Sequence, residues 1–105
     1  MTVATMELAD QVIAQTYKRF PIVLSKGSAC SLYDTQGRRY TDFVAGIAVC
    51  NLGHAHAGIT KALTSQAQTL WHVSNLYYTL PQVELAAWIV QNSFADRVFF
   101  CNTNS

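Results

Sequence analysis

The feature that most constrains the fold of this 105-residue chain is its closing stretch, Asp96-Arg97-Val98-Phe99-Phe100-Cys101-Asn102-Thr103-Asn104-Ser105. Val98 to Cys101 form an apolar, β-branched and aromatic run, with charges before it and small polar residues after it, and they read as a buried strand. In an α/β layout a strand of this kind hands over to a loop and a helix N-terminus, whose free backbone N–H groups suit a phosphate. A strand this apolar needs both faces covered, as in a parallel sheet. No second strand of the type lies upstream, so the chain reads as the opening quarter of something larger.

Composition points the same way. Charged residues are 12% and hydrophobic residues 50%, against about 25% charged in ordinary soluble domains. One reading is a small globule of poor solubility; the other, preferred here, is a segment whose apolar surface is covered by further sequence or by a partner chain. The net charge of +1 is scattered without a basic run, which gives nucleic-acid binding no electrostatic support. No apolar run approaches the ~18 residues of a membrane span, and Glu7 and Asp10 interrupt the N-terminus where a signal peptide would be apolar. A cytoplasmic location is the default expectation. Cys30, Cys50 and Cys101 are odd in number and far apart, so buried structural thiols are expected rather than a disulfide framework.

Taken in order, Leu8, Val12, Ile13 and Tyr17 have helical spacing and predict a helix from about Met6 to Tyr17, stopped by Pro21. Ile22 onward turns extended. Asp34-Thr35-Gln36-Gly37 is a turn signal, and it predicts an antiparallel hairpin of about Cys30 to Phe43. Val44 to Leu52 is apolar and Gly-interrupted, closing as a loop at Asn51 to His54. Ile59, Ala62, Leu63, Ala67 and Leu70 share one face of a helix expected from about Ala57 to Trp71. After an aromatic loop at 72–80, Thr79 and Pro81 predict the start of a helix that is apolar nearly all round, the pattern of a buried helix.

Chemistry-bearing residues are sparse. His54-Ala55-His56 sets two imidazoles two residues apart, but neither His72 nor Asp42 has the spacing of a third ligand, so no metal site is expected. No phosphate loop of nucleotide-binding type and no nucleophile elbow is present. Tyr17 and Tyr77-Tyr78 are placed where a ring could line a pocket, or where packing alone would use it.

Three phrases together carry a specific resemblance. Gly27-(x)5-Tyr33-Asp34-(x)2-Gly37-Arg38-x-Tyr40-x-Asp42-Phe43, then Gly46-Ile47-Ala48-Val49-x-Asn51-Leu52-Gly53-His54-x-His56, then Val98-Phe99-Phe100-Cys101-Asn102 resemble the N-terminal quarter of class III aminotransferases. These are pyridoxal-phosphate (PLP) enzymes of fold type I, and the resemblance is strongest to the acetylornithine branch. It implies an α/β fold with an N-terminal helical arm at 1–21, the β-hairpin part of a small domain at 22–56, and helices and a first strand leading into the PLP-binding large domain at 57–105. It implies phosphate contacts at Thr103, Asn104 and Ser105, where Asn104 replaces a glycine. It also implies a substrate-lining role for Tyr17. Ile47 stands where the relative specific for free ornithine carries a tyrosine, which favours acetylornithine-like donors, and Ala57 replaces a proline.

The segments around Gly53-His54 and Ser74-Asn75 resemble ones packed at the family's dimer interface, so a homodimer is implied for the full-length enzyme. The implied reaction is transfer of an amino group from N-acetylornithine to 2-oxoglutarate in arginine biosynthesis. No catalytic residue is assigned within the chain, because Lys18, Lys26 and Lys61 match none of the family's Schiff-base positions, and a chain with no such lysine is expected to be inactive alone. The alternatives are a transaminase for succinylornithine, 4-aminobutyrate or another ω-amine, and a non-catalytic interaction fragment.

Overall fold

The computed structural model describes residues 2–103. It contains an α/β chain whose sheet has three antiparallel strands in sequence order, β1 (Leu24–Ser28), β2 (Ser31–Asp34) and β3 (Arg39–Thr41). Backbone contacts divide the chain into two units, residues 1–69 and 70–105.

In the first unit, α1 spans Thr2–Val12, earlier at both ends than the apolar spacing suggests. Its end has a local cause. Ile13 N–H still donates to the Ala9 carbonyl at 2.9 Å, but the Gln15 side-chain amide takes the Asp10 carbonyl at 3.1 Å and Thr16 N–H closes a tighter turn on Ala14 O at 2.8 Å. With those acceptors used, the next turn has no hydrogen bonds to make. Tyr17 therefore lies in irregular chain beyond the helix.

The expected hairpin is present. Ser31, Leu32 and Tyr33 pair with Thr41, Tyr40 and Arg39, and Gly37, at φ +82°, donates its N–H to Asp34 O at 3.0 Å. That closes a three-residue loop with a left-handed glycine. β1 adds a second hairpin on the other edge of β2, joined by the two residues Ala29 and Cys30. An irregularity between Leu24 and Lys26 leaves Ser25 unpaired. The Ser25 hydroxyl is turned back onto the partner strand and donates to Asp34 O at 3.2 Å, which ties down the bulge.

Asp34 at the end of β2 is the buried residue of the described chain, 4% exposed. Its carboxylate accepts from Gln36 N–H and Arg38 N–H at 2.9 Å each, from Arg38 Nε at 2.7 Å, and from the Tyr40 hydroxyl at 3.0 Å. Burial alone would raise this carboxyl. The Arg38 guanidinium and backbone N–H, with Tyr40 and Gln36, outweigh that and lower it from 3.8 to about 2, because hydrogen bonds to the charged form favour ionisation.

An isolated bridge joins Ala29 to His54 through Ala29 N–H to His54 O at 3.0 Å and His54 N–H to Ala29 O at 2.9 Å. Gly53 makes that approach possible. It sits at φ +89°, and a Cβ there would stand 2.9 Å from the Ala29 Cα. Gly53→Ala is expected to destabilise the chain by about 1–3 kcal/mol from backbone conformation alone, more with the clash, and to free the amides of Ala29 and His54. Urea unfolding and amide exchange at those two residues measure it.

α3 (Ala57–Ala67) ends before Trp71 because the Thr69 hydroxyl takes the Ser65 carbonyl at 2.8 Å while Thr69 N–H bonds Gln66 O at 3.0 Å. In the second unit, a single 3₁₀ turn at Ser74–Leu76 precedes α4 (Leu80–Gln91), with Thr79 at the N-cap and Pro81 in the first turn. The Thr79 hydroxyl makes no capping bond. Asn92 and Ser93 side chains close the other end on the carbonyls of Trp88 and Ile89 at 2.8 and 2.7 Å.

Three expectations about burial change. α4 is not a buried helix: only Ala86, Ile89 and Val90 are half-buried, while Leu80, Val83, Leu85 and Trp88 are exposed. Residues 98–101 alternate half-buried and exposed, as an extended chain does, but they form no ladder. A strand exists through a hydrogen-bonded neighbour, and none is present among the described residues. The cysteines are free, with Cys50 half-buried and Cys30 and Cys101 exposed. The common cause is that no hydrophobic residue is buried among the described residues. The chain exposes 9744 Å², whereas even two separate folded units of this total mass would expose about 7,000 Å².

Candidate functional site

A second set of residues that the structure draws together comes from the chain between β3 and α3. Asp42 follows β3, and its Oδ1 accepts from the backbone N–H groups of Val44 at 2.8 Å and Ala45 at 3.0 Å. Its other oxygen meets His54 Nε2 at 2.6 Å, with the Asp42 side chain 8% exposed. The Ala45 N–H, then His54, then the Val44 N–H lower the Asp42 carboxyl from 3.8 to about 2, so it is ionised at neutral pH.

The segment held this way is conformationally costly. α2 (Ala45–Ala48) is a left-handed turn in which Ala45, Gly46, Ile47 and Ala48 have φ of 53°, 63°, 63° and 59°. Three of the four carry a Cβ, and one is β-branched. At roughly 1–2 kcal/mol for each such residue, the turn stores about 3–6 kcal/mol. It is closed by Ala48 N–H to Val44 O at 3.0 Å and by Val49 and Cys50 N–H to Ala45 O at 2.8 Å each. Its product is the outward display of Ile47, 85% exposed. Strain of this size persists only where surrounding contacts over-determine it, and Asp42 and His54 supply those contacts.

The two histidines of His54-Ala55-His56 have separate tasks. His54 pairs with Asp42, and His56 Nδ1 accepts from Ile59 N–H at 3.3 Å to cap α3. That cap serves the helix start at Ala57. Among the described residues no three metal-ligating side chains converge.

Tyr17 is 77% exposed and lines an open cleft of about 740 Å³ formed by α1, the irregular chain after it and the residues entering β1, with Lys18 and Arg19 on the same wall. Ile47 does not line that cleft. Thr103 is an exposed residue at a bend in the second unit; Asn104 and Ser105 lie outside the described residues. The Thr103 hydroxyl has the donor chemistry of a phosphate contact, but segment 70–105 contains no lysine and no helix N-terminus is described beside it. The described residues therefore do not assemble a PLP phosphate cradle. Lys18, Lys26 and Lys61 are all exposed. Lys26 lies over the Tyr33 ring, its Nζ 5.5 Å from the centroid, a cation–π contact between paired strands.

The Asp42–His54 pair escaped sequence reasoning, although one signal for it existed. An aspartate followed two and three residues later by free N–H groups, just before a small-residue run, is the pattern of an Asx turn.

A profile of the Aminotransferase class-III family matches residues 12–105. Among curated relatives, an acetylornithine aminotransferase of Nostoc sp. is 57% identical over 96 residues, covering 91% of this chain and 22% of the relative. The mitochondrial acetylornithine aminotransferase of Alnus glutinosa is 56% identical over 100 residues, covering 95% and 22%. Among solved structures, the N-acetylornithine aminotransferase of Stenotrophomonas maltophilia is 41% identical with a TM-score of 0.78, covering 92% of this chain and 25% of that one. The acetylornithine aminotransferase of Elizabethkingia anophelis is 29% identical with a TM-score of 0.87, covering 91% and 25%. The chain thus spans between a fifth and a quarter of the length of these proteins.

Proposed function

The chain belongs to the class III aminotransferase family, and from that premise we propose that it serves the transfer of an amino group from N-acetylornithine to 2-oxoglutarate in arginine biosynthesis. The observation that carries this reading is the 57% identity to an acetylornithine aminotransferase across 91% of the chain. The family is PLP-dependent, and bound PLP supplies an electron sink for the amino carbon.

In this reading the segments 1–21, 22–56 and 57–105 are the helical arm, the hairpin part of the small domain and the entry to the cofactor domain. Tyr17 lines the donor pocket from its cleft, and Ile47 presents an aliphatic side chain where an ornithine-specific relative has a phenol, leaving room for the acetyl group of the donor. This reading assigns phosphate contacts to Thr103, Asn104 and Ser105, in a cradle that further residues of the full-length family fold complete. Gly53-His54 and Ser74-Asn75 face a second subunit in a cytoplasmic homodimer. No helix among the described residues is long and apolar enough to cross a membrane.

The test is a chimera in which these residues replace the matching segment of the Nostoc relative, assayed with N-acetylornithine, ornithine and 4-aminobutyrate against 2-oxoglutarate. Turnover with N-acetylornithine as preferred donor is expected, and none is expected from the 105-residue chain alone. A chimera that binds PLP yet prefers another donor, or turnover by the chain alone, defeats the reading.

A further inference from the structure

We propose that Asp42 and His54 are positioning residues that clamp the left-handed turn Ala45–Ala48 and thereby set how Ile47 meets the amino donor. The inference rests on the reading above for the role of Ile47, but its physical basis is independent of it. Four consecutive left-handed residues, three with a Cβ, do not hold themselves in place. Asp42 Oδ1 fixes both N–H groups at the entrance of the turn, at 2.8 and 3.0 Å. Oδ2 is fixed by His54 at 2.6 Å. His54 is in turn fixed by its two backbone bonds to Ala29, and its side chain lies against Gly27, where an added Cβ would approach within 2.8 Å. The clamp is thus anchored at two points of the first hairpin, Gly27 in β1 and Ala29 in the connection that follows it, while the residue it displays points outward.

A positioning role makes a specific kinetic demand. If the turn relaxes when the clamp is removed, Ile47 loses its place and the donor binds less well, while the chemistry performed elsewhere is unaltered. In the chimera, Asp42→Ala is expected to raise KM for N-acetylornithine about tenfold with kcat within about threefold. The preference for N-acetylornithine over ornithine is expected to fall with it. Asp42→Asn keeps an acceptor for both N–H groups and a partner for His54, so its KM stays near the parent value. Adding Ala48→Gly to Asp42→Ala relieves strain at the turn itself, because glycine adopts left-handed geometry freely, and restores most of the KM and of the preference.

An unchanged KM and preference in Asp42→Ala, a loss confined to kcat, or no rescue by Ala48→Gly overturns the proposal. If Asp42→Ala does not fold, His54→Asn, too short to reach Asp42, takes its place under the same criteria. A parent chimera without N-acetylornithine turnover refutes the function proposed above and leaves the clamp to be judged by amide exchange. Exchange of Val44 and Ala45 at least about tenfold faster in the clamp variant supports it, and unchanged exchange overturns it.

Discussion

Replacing Asp34 by alanine is expected to dissolve the hairpin of β2 and β3. Four donors converge on this one carboxylate, and two of them, Gln36 N–H and Arg38 N–H, define the turn itself. Without it those amides and the Tyr40 hydroxyl lose their acceptor together, and the remaining ladder of three residue pairs is too short to fix the register, given that an isolated hairpin is marginal in water. The expected readout is loss of exchange protection at Arg38, Leu32 and Tyr40 by more than about tenfold, since charge-assisted bonds are the strong ones. Asp34→Asn retains one acceptor oxygen and is expected to fall between.

The same carboxylate predicts a response to acid. Asp34 and Asp42 both lie near 2 when folded, against an ordinary 3.8. Between those values the unfolded chain binds more protons, so the stabilisation these two carboxylates contribute is present above about pH 4 and is lost as pH falls through about 2. Far-ultraviolet circular dichroism across that window should show the transition, and Asp34→Ala should flatten it. Hairpin protection that survives either change would contradict this account of the turn.

The second large effect concerns the uncovered apolar faces. Leu80, Val83, Leu85 and Trp88 of α4, Ile59 and Leu63 of α3, and Phe94 and Phe99 are all exposed. Monomeric proteins rarely leave contiguous apolar surface of more than a few hundred Å². Purified by itself, the chain is expected to enhance the fluorescence of an anilinonaphthalene dye strongly and to elute from gel filtration above 11.6 kDa. Carried within the chimera, the same residues should leave the dye dark, and the chimera should elute with the Nostoc relative itself. A dye-silent chain eluting as a sharp monomer would be incompatible with the exposure described.

The parts of this structure that were legible in the sequence are those decided within a few residues. Asp34 and Gly37 specify their turn by local hydrogen bonding and by one left-handed glycine, and Pro81 marks the start of α4. The apolar spacing of Ile59, Ala62 and Leu63 is enough for the existence of α3. Helix ends were less legible, because Gln15 and Thr69 terminate α1 and α3 with side-chain bonds that compete with the next backbone turn. Burial was misjudged wherever it depends on a covering element: an α4 that is apolar nearly all round and three cysteines are cues for a core, and no core is formed by the described residues.

The turn at Ala45–Ala48 was the hardest to foresee. Its Gly46 hints at flexibility, yet the unusual residues are the alanines and the isoleucine beside it, forced into place by an aspartate before the turn and a histidine after it. The candidate site shares that difficulty. Tyr17, Ile47 and Thr103 are singled out by resemblance alone, and nothing in that resemblance marks the pairing of Asp42 with His54.

The bridge between Ala29 and His54 makes the stretch from Ala29 to His54 a closed circuit. Its outgoing arm is the hairpin of β2 and β3, its return arm is the strained turn, and both are soldered at a single crossing of two peptide groups. Anyone dividing this polypeptide for grafting or for split reassembly should cut outside that circuit, because a break anywhere within it unfastens the opposite side as well.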